Sequence, residues 1–348
     1  MDTTGSPAPV TIHSLLEQLQ EALVLEVKYQ PNLQLPAITK NDEVIITERN
    51  GSAHVLRCLK VWYDLPSDVF FIAMNLMDRF LTKMRAQPKH MPCIRVSSFY
   101  IAAVQMSQTI DMDHLVSISQ YKFTRGDLKR MSDVISNKLE WAPGTTPITA
   151  LTFLRLFHVM FHAAASQLGL GELYASIVTE SELVLRLEMV ACNVECANLR
   201  PSEVALVLLC TYLDSAVNRL KSNTETSMSS VAGSSSSSVD MTQTPAHQIL
   251  RLVEFASELQ KICRISDTSF FSTHERVGAI LSKYNAQEQI PYRQRFVWRL
   301  SSRTVRLLRP TDKFTTSLPA IAENAPIPSP SRVRSGYRIN RRHDMKRR

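Results

Sequence analysis

The chain has 348 residues, 44% of them hydrophobic, which is enough to fill the cores of one to three domains. Its nine glycines are too few for the tight turns of an all-β fold, and the absence of G-x-G-x-x-G and G-x-x-x-x-G-K argues against glycine-rich phosphate loops. The net charge of +8 is uneven, because residues 331–348 hold eight Arg and Lys against one Asp and leave the other 330 at about +1; the basicity belongs to a tail, not to a folded nucleic-acid surface.

The opening MDTTGSPAPVTIHSLL has no basic n-region, and no apolar run approaches the roughly 18 residues a membrane helix needs, so a soluble intracellular protein is expected. Cys58, Cys93, Cys192, Cys196, Cys210 and Cys263 form no C-x-x-C and mostly fall on apolar helix faces, as reduced core cysteines do.

Residues 12–29 read as an amphipathic helix ended by Pro31, with Ile12, Leu15, Leu16, Leu19, Leu23, Val24 and Val27 on one side. A mixed linker follows, and His54–Tyr63 then reads as the core of a helix, for which Asn50-Gly51-Ser52 is a weak start. The next helix is expected to start near Pro66 and Ser67 and is apolar over most of its circumference. Val69, Ile72, Ala73, Leu76 and Phe80 form one stripe; Phe70, Met74, Met77, Leu81 and Met84 form a second. The remaining polar strip is Asp68, Asn75, Arg79 and Thr82. Asp78 and Arg79 lie within apolar wrapping, where an unpaired charge is costly, so each requires a partner. Pro88 and Pro92 interrupt the chain before Val96–Met106, whose Ser97, Ser98, Ala102 and Ala103 permit close helix approach.

Thr124–Leu139 carries the stripe Leu128, Met131, Ile135 and Leu139, with Thr124 and Asp127 as a capping-box start. Pro147–Leu168 completes five helices and an all-α unit. A second unit repeats the plan with Glu172–Glu195, Ser202–Val217, Ala246–Ile262, Ser272–Tyr284 and Tyr292–Leu308. Its Ser-rich segment 222–244 buries too little apolar surface to order and reads as a disordered loop. Within 293–309, Arg295, Arg299, Arg303 and Arg306 line one helix face. That face is either solvated or docks an acidic protein surface.

His158 and His162 are four apart, as are Cys192 and Cys196, and two such helical pairs can in principle complete a zinc site. Nothing in the sequence brings the two faces together, and the histidines stand among Phe157, Val159, Met160 and Phe161, so no metal is assigned. No G-x-S-x-G, H-E-x-x-H or carboxylate pair with a plausible base occurs. No catalytic residue or cofactor is expected.

MNLMDRFLTKM resembles the second helix of the cyclin box, and QPKH, LLEQLQEALVLE and RFVWRLSSRTVRLL resemble segments of the cyclin-G family, from about Ile12 to Ala322. The resemblance implies two tandem five-helix cyclin boxes, at 49–168 and 172–308, preceded by an N-terminal helix and linker (1–48) and followed by a disordered basic tail (309–348). It implies an ion pair between Arg49 and Asp78. It sets Gln105 and Ser132 where most cyclins have a lysine and a glutamate that contact the kinase's regulatory helix, and Glu48, Gly51 and Ser52 where cell-cycle cyclins have an apolar substrate-recruiting patch. The family implies a non-catalytic regulator binding a cyclin-dependent kinase or protein phosphatase 2A B-prime subunits in cell-cycle, growth and DNA-damage control. The alternative is a cyclin-box transcription-associated factor on DNA or polymerase machinery, which the near-neutral body disfavours. Nucleus and cytoplasm are the expected locations, with Arg341, Arg342, Lys346, Arg347 and Arg348 in a nuclear-targeting tail. Ser329-Pro330 and Thr244-Pro245 are candidate phosphorylation sites.

Overall fold

The computed structural model describes residues 12–38, 43–142, 144–229 and 245–288, which hold twelve α-helices and no strand. After α1 (Ile12–Tyr29), the first layer comprises α2 (Ile46–Trp62), α3 (Ser67–Lys83), α4 (Met91–Gln105), the short α5 (Met112–Ile118), α6 (Arg125–Leu139) and α7 (Ala150–Gln167). The second comprises α8 (Gly171–Ile177), α9 (Glu180–Ala191), α10 (Pro201–Ser229), α11 (Pro245–Ile262) and α12 (Asp267–Glu288).

Helix α3 is the axis of the first layer, because both its apolar stripes are buried, apart from the half-buried Met84 near its end. It packs closest on α4, where Ser97, Ser98, Ala102 and Ala103 are all buried and let the two backbones approach. The polar atoms of that stripe are satisfied: Ser97 donates to the Leu128 carbonyl of α6, and Ser98 to the Ile94 carbonyl of its own helix. A larger side chain at Ala102 would overpack this contact, at a cost of about 1–3 kcal/mol. Pro88 and Pro92 sit in the first turns of a 3₁₀ turn and of α4, where a missing N–H costs nothing, so they start α4 earlier than expected. Thr124 and Asp127 form a reciprocal capping box at the start of α6: each backbone N–H is accepted by the other's side chain, at 2.9 and 3.1 Å. The carboxyl of Asp127 is held down at about 2, chiefly by the Thr124 hydroxyl and N–H.

In the second layer α10 is the axis, its Val204–Leu209 run buried between α7, α11, α12 and α9. One hydrophobic cluster spans both layers.

Four further expectations change. Helix α2 begins at Ile46, eight residues before His54, and takes Asn50, Gly51 and Ser52 into its interior; Glu48 caps its start by accepting from the Ile45 N–H at 3.0 Å. The expected helix 172–195 breaks at the β-branched run Ile177-Val178-Thr179, where both Val178 and Thr179 are extended. Helix α12 starts at Asp267, where the Ser266 hydroxyl accepts from the Ser269 N–H at 3.2 Å. Helix α10 continues to Ser229, so residues 222–229 of the expected loop are helical; residues 230–244, with Thr244, lie outside the described residues. The expected helix 292–308, its Arg295, Arg299, Arg303 and Arg306, and the tail with Ser329 and its arginines also lie outside them.

Candidate functional site

Arg49 and Asp78 meet at the centre of the described body. The guanidinium donates Nε to Asp78 Oδ1 at 3.0 Å and Nη2 to Oδ2 at 2.6 Å, a bidentate fork, with Arg49 1% and Asp78 4% exposed. Nη1 donates to the Ala191 carbonyl at 3.1 Å, and the neighbouring Asn50 Oδ1 accepts the Val194 N–H at 3.0 Å. One arginine of α2 therefore holds α3 on one side and the end of α9 on the other. These tertiary bonds explain how a helix runs through Asn50 and Gly51 against their propensity.

Two more buried carboxylates repeat the device. Glu188 of α9 accepts from Arg57 Nε at 3.0 Å, Lys60 Nζ at 2.6 Å and Ser67 Oγ at 2.8 Å, which joins α9 to α2 and the start of α3. Glu26 of α1 accepts from Arg200 Nη2 at 2.9 Å and from the Ser202 N–H at 2.7 Å. That N–H is one of the orphan donors at the start of α10, so the carboxylate also sits favourably against the helix dipole. Arg200 further donates to the Cys263 carbonyl at the end of α11. The linker is fixed in turn, because Asn198 accepts the Leu33 N–H at 2.6 Å and donates to its carbonyl at 2.7 Å.

Sequence reading missed Glu26 and Glu188, and with Glu26 it misjudged the face of α1. The buried stripe is Leu15, Leu19, Ala22, Glu26 and Tyr29, whereas Val24 and Val27, expected on the same side as Leu15 and Leu19, are each 78% exposed. The usable signal was the spacing 15, 19, 22, 26, 29, which is a regular apolar seam once a carboxylate is admitted to it.

Gln105 is half-buried at the end of α4, and its Oε1 accepts the Gly144 N–H at 3.2 Å. Ser132 is buried on α6 and donates to the Leu128 carbonyl at 2.9 Å. Glu48 is half-buried and capping, Gly51 is exposed and Ser52 is buried, so the three offer no apolar patch. Arg79, expected to need a partner, has the Tyr29 ring 5.2 Å away and, among the described residues, no carboxylate partner; burial pushes its pKa down.

The histidine and cysteine pairs do not assemble. Helix α9 ends at Ala191, so Cys192 and Cys196 do not share a helix, and His158 Nδ1 meets the Tyr174 hydroxyl at 2.9 Å. Among the described residues no group of three or more His, Cys, Asp or Glu could hold a metal. Burial pushes the Cys192 and Cys196 thiols up to about 12, which keeps them protonated and unreactive.

Residues 17–142 match the family model "Cyclin, N-terminal domain", the stretch that contains both Arg49 and Asp78. The chain is therefore a cyclin-box protein. It is 41% identical over 320 residues to Cyclin G of Drosophila melanogaster, covering 91% of this chain and 53% of that protein. It is 30% identical to human Cyclin-G2, covering 89% of this chain and 81% of that protein, and 28% identical to Cyclin-G1 of Bos taurus, covering 90% and 96%. The chain belongs to the cyclin G family. It spans about half the length of the Drosophila relative. Among solved structures, the X-ray structure of a viral cyclin from herpesvirus saimiri overlays with a TM-score of 0.49 at 17% identity, covering 78% of this chain and 99% of that one.

Proposed function

We propose that this chain is a non-catalytic regulatory scaffold that acts by docking onto larger catalytic assemblies, with protein phosphatase 2A B-prime subunits as the stronger partner and a cyclin-dependent kinase as the weaker. Its setting would be cell-cycle, growth and DNA-damage control. The observation that supports the weak kinase arm is the state of Gln105 and Ser132. The glutamine oxygen is occupied by the Gly144 N–H, and the serine hydroxyl is committed to its own helix. Neither brings charge to the places where most cyclins carry lysine and glutamate. Two missing charge-assisted bonds, at about 1.5–3 kcal/mol each, correspond to at least about a hundredfold in affinity.

The test has two parts. Affinity purification of the intact protein from its own cells should recover phosphatase subunits in excess of any kinase. The double variant Gln105→Lys with Ser132→Glu should then raise kinase affinity or activity and leave phosphatase binding unchanged. Because Ser132 is only 8% exposed, the variant's melting temperature must be measured alongside. Strong kinase activation by the unmodified chain, with no effect of a folded double variant, refutes the reading.

A further inference from the structure

Three helix ends converge at one place on the first layer: the C-termini of α1, α3 and α6. Between them lies a groove of about 310 Å³, whose charged residues are Lys28, Arg79, Lys83 and Glu140. Three cations thus face one carboxylate, and none of the three makes an ion pair with a described residue. The bland explanation is that cations offset the partial negative charge at helix C-termini, worth typically 0.3–1 kcal/mol each. It accounts for Lys83, whose Nζ donates to the Lys138 carbonyl at the end of α6 at 3.1 Å. It does not account for Arg79. That guanidinium lies over the Tyr29 ring, and its buried Nη1 has no acceptor among the described residues. The contrast with Arg49, which has a bidentate carboxylate and a carbonyl, and with Arg155, which reaches both Asp68 and Glu180, is plain. A partly desolvated cation left without an anion is costly, and an arriving anion recovers that cost.

We propose that this groove binds the phosphate of a phosphorylated segment of a partner protein. A dianion suits it better than a carboxylate, because three cations from two helices surround the space and a single negative charge would gain little against the repulsion of Glu140. Glu140 in turn favours a basic residue beside the phosphorylated one. The walls offer only Pro31 and Leu139 as apolar surface, with no aromatic ring for a nucleobase and no channel for an acyl chain. A second hollow of about 490 Å³ shares Thr82 and Lys83 with the first and continues to Glu43 and Arg85, which gives an extended peptide room for its flanks.

The test uses the full chain and fluorescein-labelled degenerate peptides with a central phosphoserine, beside their unphosphorylated twins, read by anisotropy at low and physiological salt. The phosphorylated set should bind about tenfold or more tightly, with the preference shrinking as salt rises. Arg79→Met should remove most of that preference without lowering the melting temperature, since the arginine has no carboxylate to lose. Lys28→Ala, at an exposed position, should weaken binding severalfold, and Glu140→Gln should tighten it. Equal binding of both peptide sets, or a folded Arg79→Met or Lys28→Ala variant that binds as before, overturns the proposal. So does binding of inorganic phosphate with no preference for phosphopeptide, or displacement of the peptide by phosphoinositide-containing vesicles at lower phosphate concentration than by phosphopeptide.

Discussion

Replacing Asp78 by alanine isolates the ion pair at the centre of the molecule. In the variant, Arg49 would keep the Ala191 carbonyl at 3.1 Å and a long contact to Asn50 Oδ1 at 3.4 Å, but would lose both bonds of the fork, at 3.0 and 2.6 Å. At 1% exposure it cannot turn out to water. Removing one partner of so buried a pair costs roughly 3–5 kcal/mol, against 0–1 kcal/mol for an exposed pair, so the two cases are well separated. Urea unfolding followed by circular dichroism should show that loss. A control tests the cause: Arg49→Met with Asp78→Leu, which removes both charges and keeps the volume, should recover much of the stability. A cost for Asp78→Ala below about 1 kcal/mol, or a double variant less stable than the single one, would refute the claim that desolvated charge sets the magnitude.

Glu188→Ala should cost less, about 1–3 kcal/mol, because Arg57 and Lys60 are 25% and 15% exposed at their side chains and can regain water; urea unfolding of this variant beside Asp78→Ala checks the order. Asp127 has a folded-state value of about 2, below its ordinary 3.8, so its stabilising effect is fully present above about pH 4 and is lost as pH falls through about 2. The stability gap between the native chain and Asp127→Asn should therefore stay constant down to about pH 4 and close below it, as unfolding midpoints across a pH series will show. Fused to an inert reporter, residues 331–348 should concentrate it in the nucleus, an effect lost when Arg341, Arg342, Lys346, Arg347 and Arg348 are replaced by alanine; even distribution of the native fusion would count against a targeting role.

Local periodicity made the helices legible where the code is local. The two stripes of α3 and the small residues of α4 depend only on spacing, and Thr124 with Asp127 depends on residues three apart. The break at Ile177-Val178-Thr179 and the Ser266 start of α12 were local signals passed over, but the face of α1 and the start of α2 depended on partners distant in sequence. The rotation of α1 turns on Glu26, whose acceptor role is fixed by Arg200 and Ser202, 174 and 176 residues away. A helix reading that treats every carboxylate as solvent-facing must turn Glu26 outward and carry Val24 and Val27 inward, the reverse of what is found. The early start of α2 had the same origin, since Asn50 is held by the Val194 N–H, 144 residues on. Arg49 and Asp78 were paired through family resemblance; their spacing of 29 residues on two helices carries no local signal.

Three of the buried carboxylates, Asp78, Glu188 and Glu26, are set at junctions that involve a basic partner, not within single helices. Asp78 ties α3 to α2 and, through Arg49, to the end of α9; Glu188 ties α9 back to α2 and the start of α3; Glu26 ties α1 to the start of α10 and, through Arg200, to the end of α11. Apolar side chains of similar volume could supply comparable stability at each place, because desolvation offsets much of the Coulomb gain of a buried pair. They could not supply direction. A leucine at position 26 would pack acceptably over a range of helix rotations, whereas a carboxylate that must reach both the Arg200 guanidinium and the Ser202 N–H fixes one rotation of α1 and one register against α10. For a protein whose proposed work is to present surfaces spread over both layers, that fixed relative placement is the property a partner reads. Losing a junction carboxylate should thus weaken partner binding by more than its effect on melting temperature alone would suggest.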